Sequence, residues 1–170
     1  MTLVILDTCI IQAAGDANKS KSESLLNLFD NLSTEGYKLA ISEISVFENL
    51  HGLWGKKAAK ASESFNKLVT KVVSREVLVL ASILGGLYKD LGGENISAGD
   101  KIIGSTAILE NGLVMTENHK DFPPPLWFPR QFFQVTYSKN HYRKTLDIGL
   151  YEPRTEVINR KISENEKLNR

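Results

Sequence analysis

Short apolar runs made of strong β-formers punctuate the chain at Leu3 to Leu6, Leu39 to Ile41, Val77 to Leu80, Leu113 to Met115 and, less regularly, Phe132 to Val135. Each has the length and side-chain type of a strand. Between them apolar positions recur with helical period. Over Ser22 to Leu32, Leu25, Leu28, Phe29 and Leu32 share one stripe, while Lys21, Glu23, Asn27 and Asp30 fall largely elsewhere. Ile44 to Trp54 follows, and Lys56 to Val73 repeats the pattern through Phe65, Leu68, Val69 and Val72. Ala81 to Leu91 stops at Gly92 and Gly93, and Asp100 to Glu110 stops at Asn111 and Gly112. Strands alternating with helices imply right-handed crossovers. The pattern predicts an α/β/α sandwich around a central, mostly parallel, five-stranded sheet.

Four acids, Asp7, Glu48, Asp100 and Asp121, stand where a predicted strand ends or a helix begins. In a parallel sheet those positions share one edge, where open α/β folds bind their ligands. Each acid also has a structural explanation. Glu48 stands three residues after Ser45, and Asp100 three after Ser97, so both pairs fit a capping box. Asp121 follows Asn118 in a polar turn and fits an Asx turn. Asp7 is different: it ends a strand apolar on both faces, where a carboxylate gains nothing from the core.

Other chemistries for an aspartate after the first strand fail on the letters. A dehalogenase-type phosphotransferase needs a second aspartate two residues on, where Cys9 stands. A receiver domain needs an acid at the end of a third strand, where the chain reads Leu80, Ala81. No glycine-rich phosphate loop follows a strand. His51, His119 and His141 lack metal-ligand spacing, and no serine sits in a nucleophile elbow. A carboxylate cluster remains. Crowded carboxylates need a neutralising cation, and their hard oxygens suit Mg2+ or Mn2+.

The 170 residues fit a single folded unit with its own core. No run reaches the length of a membrane span, and the first apolar run breaks at Asp7, too early for a signal peptide. A soluble, cytoplasmic protein is expected. The lone Cys9 excludes an internal disulfide and a cysteine-built zinc site. A formal charge of +1 leaves nucleic-acid binding to local patches.

The local blocks around the four acids resemble the PIN-domain nucleases, in particular the small VapC-like toxins of toxin-antitoxin pairs. Leu3 to Leu6 with Asp7, Thr8 and Cys9 is similar to that family's opening strand and Asp-Thr-Asn. Ser42, Glu48 and Gly52 match its Ser, the acid six residues later and the Gly four beyond. Ser97 to Ile103 with Ala107, and Leu113 to Phe122, supply the third and fourth blocks. The resemblance covers roughly residues 3–122, and Cys9 replaces the usual asparagine. It implies a metal-dependent endoribonuclease using Mg2+ or Mn2+, with RNA as substrate, a cognate antitoxin and a homodimer. Asp7 and Asp100 would be central ligands, with Glu48 and Asp121 completing the site, and Thr8, Thr116 and Asn118 orienting them. The alternatives are a housekeeping RNA-processing or DNA-cleaving nuclease of the same fold, and a non-catalytic nucleic-acid-binding module.

On this basis residues 1–137 form the nuclease domain, and residues 138–170 are an extension either packed on it or partly disordered. Arg154 to Arg170 is expected to be a solvated helix or frayed terminus. Lys56, Lys60, Lys67 and Lys71 fall within roughly 60° on the predicted helix, a face suited to a phosphate backbone or simply to solvent. Lys101 and Lys120 adjoin two proposed ligands. Trp127, Phe128, Arg130, Phe132 and Phe133 read either as core or dimer surface, or as a base-stacking platform.

Overall fold

The computed structural model describes residues 1–65, 68–92 and 96–168. In chain order the elements are β1 (Thr2–Leu6), α1 (Thr8–Ala14), α2 (Lys19–Thr34), β2 (Tyr37–Ser42), α3 (Glu43–Leu50), α4 (Gly55–Phe65) and β3 (Val69–Lys71). There follow α5 (Arg75–Asp90), α6 (Ala98–Leu109), β4 (Leu113–Thr116), a 3-10 turn at His119–Asp121, β5 (Trp127–Lys139), β6 (Tyr142–Pro153) and α7 (Thr155–Leu168).

The strands form one sheet in the order β3-β2-β1-β4-β6-β5. The first four are mutually parallel, and β6 runs antiparallel to both β4 and β5. The sheet thus has six strands where five were expected. The core occupies both faces. Ile5, Ala40 and Val114 meet α5, α6 and α7 on one side, whereas Val4, Leu6 and Ile41 meet α1 and α2 on the other. Such two-sided burial explains why the β1 and β4 letters are continuously apolar.

Two sequence assignments are overturned together. Val77 to Leu80 is the opening of α5, because Ser74 accepts a hydrogen bond from the Val77 amide and caps the helix. Val77, Ala81, Leu84 and Tyr88 are all buried, so one helical period runs unbroken through the supposed strand into the predicted helix. The third parallel strand is instead Val69–Lys71, inside the predicted Lys56 to Val73 helix, which ends at Phe65. Its pairing with Ala40 to Ser42 on β2 overrides local helical pattern.

Residues on both sides of position 137 share the sheet, since β5 continues to Lys139 and β6 lies between β4 and β5. The last helix docks through Ile158, which is buried in the core beside half-buried Val157 and Ile162. Trp127 is likewise core: its indole N-H donates to the Tyr88 hydroxyl at 2.6 Å, and both side chains are buried. Tyr88→Phe leaves that donor unpaired, and urea unfolding at pH 7 is expected to show a loss of about 1–3 kcal/mol.

Candidate active site

The strand order reverses between the parallel neighbours β1 and β4: crossovers from β1 lead outward to β2 and β3, and α5 and α6 return the chain to the other side of β1. The carboxyl ends of β1 and β4 therefore border the switch-point crevice. Asp7 is the first residue past β1, and its amide donates to Met115 O at 3.0 Å. It occupies the N-cap position of α1, yet its side chain makes no capping bond. Oδ2 instead accepts from the Thr116 hydroxyl at 2.6 Å and lies 3.2 Å from the Cys9 thiol. Burial, reinforced by the Asp7 charge, pushes the Cys9 thiol up to about 12, so it stays protonated and able to donate. A thiol thus contacts the aspartate where the resembled family has asparagine.

Glu48 lies on α3, which begins after Ser42, three residues earlier than a Ser45 cap requires. The expected Ser45 and Glu48 capping box is not formed. The Thr8 hydroxyl donates to Glu48 Oε2 and also lies 3.1 Å from Ser45 Oγ. Gly99 makes room for this carboxylate, because a Cβ there would sit 2.2 Å from Glu48 Oε1.

The other cap does form. Ser97 Oγ accepts from the Asp100 amide at 3.0 Å, and its hydroxyl donates to Asp100 Oδ2 at 2.6 Å. Asp121 is buried in the 3-10 turn, its amide bonded to Asn118 O at 3.0 Å and its Oδ2 accepting from the Asn118 side chain. The Asn118 amide in turn donates to Thr116 Oγ1 at 2.8 Å, linking this turn to the Asp7 contacts.

Electrostatics tie the acids together. Burial raises the Asp100 carboxyl to about 6; the Ser97 hydrogen bond opposes the rise, while the charges of Asp7, Asp121 and Glu48 add to it. Burial also raises Asp121, opposed by Lys120 and assisted by Asp7. Among the described residues no three His, Cys, Asp or Glu side chains close around one point as a ready-made cage. The carboxylates form an open, mutually repelling field of hard oxygen donors, a donor set that fits a divalent cation such as Mg2+ or Mn2+.

The raised Asp100 sets a pH dependence with a definite sign. The folded protein takes up a proton near pH 6 that the unfolded chain, with an ordinary carboxyl of about 3.8, takes up only at lower pH. Metal-free stability is therefore expected to rise as pH falls through 6 toward 4, an increment absent in Asp100→Asn. Thermal melts in EDTA across that range check this.

The proposed cationic residues separate. Lys71 lies on β3 and pairs with Glu110 at 2.6 Å, which removes it from any α4 face. Lys67 lies outside the described residues. Lys56 is exposed in the first turn of α4, and Lys60 lies within the same helix. Lys101 packs along Gly85 of α5, with Nζ 3.8 Å from where a Cβ would stand there. Lys120 is exposed and close enough to lower the Asp121 carboxyl. Sequence reasoning passed over Gly99, although a glycine directly before Asp100 at a helix start was the available signal.

A chain of the VapBC2 complex of Rickettsia felis, solved bound to a DNA fragment from their promoter, superposes with a TM-score of 0.57 at 24% identity, over 71% of this chain and 91% of that one. A chain of a toxin-antitoxin complex from Klebsiella pneumoniae gives 0.53 at 22%, over 72% and 92%. The FitAB complex bound to an IR36 DNA fragment gives 0.55 at 23%, over 70% and 87%. The chain has their PIN-like fold. No protein-family model and no curated protein matches the sequence. Among the described residues no helix is long and apolar enough to cross a membrane.

Proposed function

We propose that this PIN-like chain is a metal-dependent endoribonuclease that hydrolyses RNA phosphodiester bonds as the toxin component of a toxin-antitoxin pair. The observation that carries the proposal is half-buried Asp100, raised first by its desolvation and further by the charges of three other acids, at the switch point of the sheet. Such a field is unfavourable alone and becomes favourable around a cation. Fold likeness to chains of toxin-antitoxin complexes supports the toxin assignment.

Asp7 and Asp100 would hold Mg2+ or Mn2+, with Glu48 and Asp121 completing the set. When bound, the cation would supply Lewis-acid stabilisation of phosphate charge and activation of water for in-line attack. The protein's own part is to hold the donors. Thr116 and Cys9 fix the Asp7 carboxylate, Thr8 and the gap at Gly99 fix Glu48, and Asn118 fixes Asp121. Thr8, Thr116 and Asn118 thus act as positioning residues. Lys120 would supply positive charge beside Asp121.

The antitoxin would occupy the apolar groove lined by Ile11, Ala14, Leu26, Phe29, Phe65 and Leu68. A homodimer would cover the exposed Leu78, Val79 and Ile83 of α5. Incubation of the purified chain with end-labelled RNA is expected to give internal cleavage in Mn2+ and none in EDTA. Metal-independent cleavage, or intact RNA in both, would overturn the proposal.

A further inference from the structure

Beside the carboxylates lies an aromatic group that none of the hydrolytic roles uses. Thr116 on β4 pairs with Gly149 on β6, and Gly149 pairs with Phe132 on β5, so the three stand side by side across the sheet. In-register neighbours point to one face, and two strand spacings separate Phe132 from Thr116 by roughly 10 Å. Gly149 leaves a gap on that face, since a Cβ there would lie 3.0 Å from His119 Nδ1 and 2.4 Å from the Tyr151 ring. The His119 ring fills the gap. It is held by the Tyr151 hydroxyl, 2.9 Å from Nδ1, and the Phe132 ring packs against it at an interplanar angle of 66° with ring centroids 5.6 Å apart.

Phe132 reaches this face because of a bulge. The register slips at Arg130, so Pro129 pairs with Tyr151 and Gln131 with Leu150. Without the extra residue, simple alternation from Trp127 would place Phe133, not Phe132, on the His119 side. The re-aimed ring is not absorbed into the core: Phe132 is 60% exposed, whereas Phe133 packs into the opposite core. Its neighbour His119 opens the turn that also carries Lys120 and Asp121.

We infer that Phe132, braced by His119 and Tyr151, is a stacking shelf for an unpaired base of single-stranded RNA flanking the phosphodiester held at the carboxylates. This rests on the proposed ribonuclease function. A shelf built of a ring face accepts any base, so it selects unpaired over duplex nucleic acid rather than a particular sequence. Lys120 attracts the adjoining backbone, and an apolar protein side chain would have no use for that charge.

The test is fluorescence anisotropy with a short single-stranded oligoribonucleotide in Ca2+, repeated with an abasic version of the same strand. Loss of one base stack corresponds to roughly 5- to 150-fold in affinity. Phe132→Ala is expected to weaken binding of the intact strand within that range and leave the abasic strand unchanged, while Phe132→Trp retains wild-type affinity. Phe132→Leu should weaken binding nearly as much as the alanine change. Equal affinity of wild type and Phe132→Ala for the intact strand overturns the shelf, as does full retention by Phe132→Leu, which would show that the contact needs no ring face. Cleavage in Mn2+, followed in parallel, keeps the two proposals separate. Cleavage with no change of KM in Phe132→Ala defeats the shelf alone, and base-dependent binding without cleavage defeats the nuclease alone.

Discussion

Asp7→Asn is expected to lower Mn2+-dependent RNA cleavage by at least about 100-fold, the several kcal/mol that cation stabilisation of phosphate charge provides. The same change should not destabilise the metal-free protein. Asp7 is buried, and its charge raises both Asp100 and Asp121. A neutral amide relieves that repulsion, while its oxygen still accepts from Thr116. The melting temperature in EDTA should therefore hold or increase. A purely structural Asp7 would give the reverse, with a lower melting temperature and activity lost only in proportion to unfolding.

Gly99→Ala is the second large effect, and it works on a different carboxylate. The added methyl would sit 2.2 Å from Glu48 Oε1 and 3.1 Å from Cδ, so one of them must move. The obstructing atoms are the far end of a flexible side chain, which can swing away at little cost to folding. Swinging away, however, takes Glu48 from its Thr8 contact and from the carboxylate field. We expect kcat to fall about tenfold or more, because ligand misplacement by supporting residues costs roughly 10- to 100-fold in affinity or activity. Thermal stability should change little. Restored activity in the double variant Glu48→Asp with Gly99→Ala, whose shorter acid clears the methyl, would identify the cause as the Glu48 position.

The architecture was legible where local pattern and tertiary burial agree. β1 and β4 are apolar on both faces and stood out from their letters, and α6 was marked by its Ser97 cap and its stop at Asn111 and Gly112. The third strand was not legible, because Val69–Lys71 is short and mostly exposed and owes its conformation to β2. Conversely, Val77 to Leu80 carries strand-forming side chains, but its burial follows a helical period that only the continuation through Ala81 and Leu84 reveals. β6 was missed because its first half is exposed and polar, and only Ile148 to Tyr151 enter the core.

The acids were readable as positions at element ends, and the structure places them in one electrostatic field. What holds each one was not readable. The contacts of Thr116 with Asp7 and of Thr8 with Glu48 join residues separated by 109 and 40 positions. No local pattern reports such pairs. Cys9 stands where the resembled family has asparagine, and its partly buried thiol contacts Asp7 directly. The aromatic run at Trp127 to Phe133 resolves residue by residue: Trp127 and Phe133 belong to the core, and the bulge at Arg130 turns Phe132 toward His119.

The claim on which the rest depends is that these four carboxylates hold a divalent cation. Crystals soaked in Mn2+ and measured for anomalous scattering test it without reference to any substrate. An anomalous peak is expected within ligand distance of both Asp7 and Asp100, absent in crystals of Asp7→Asn. Well-ordered carboxylates with no peak between them, or a peak that survives Asp7→Asn, would contradict it.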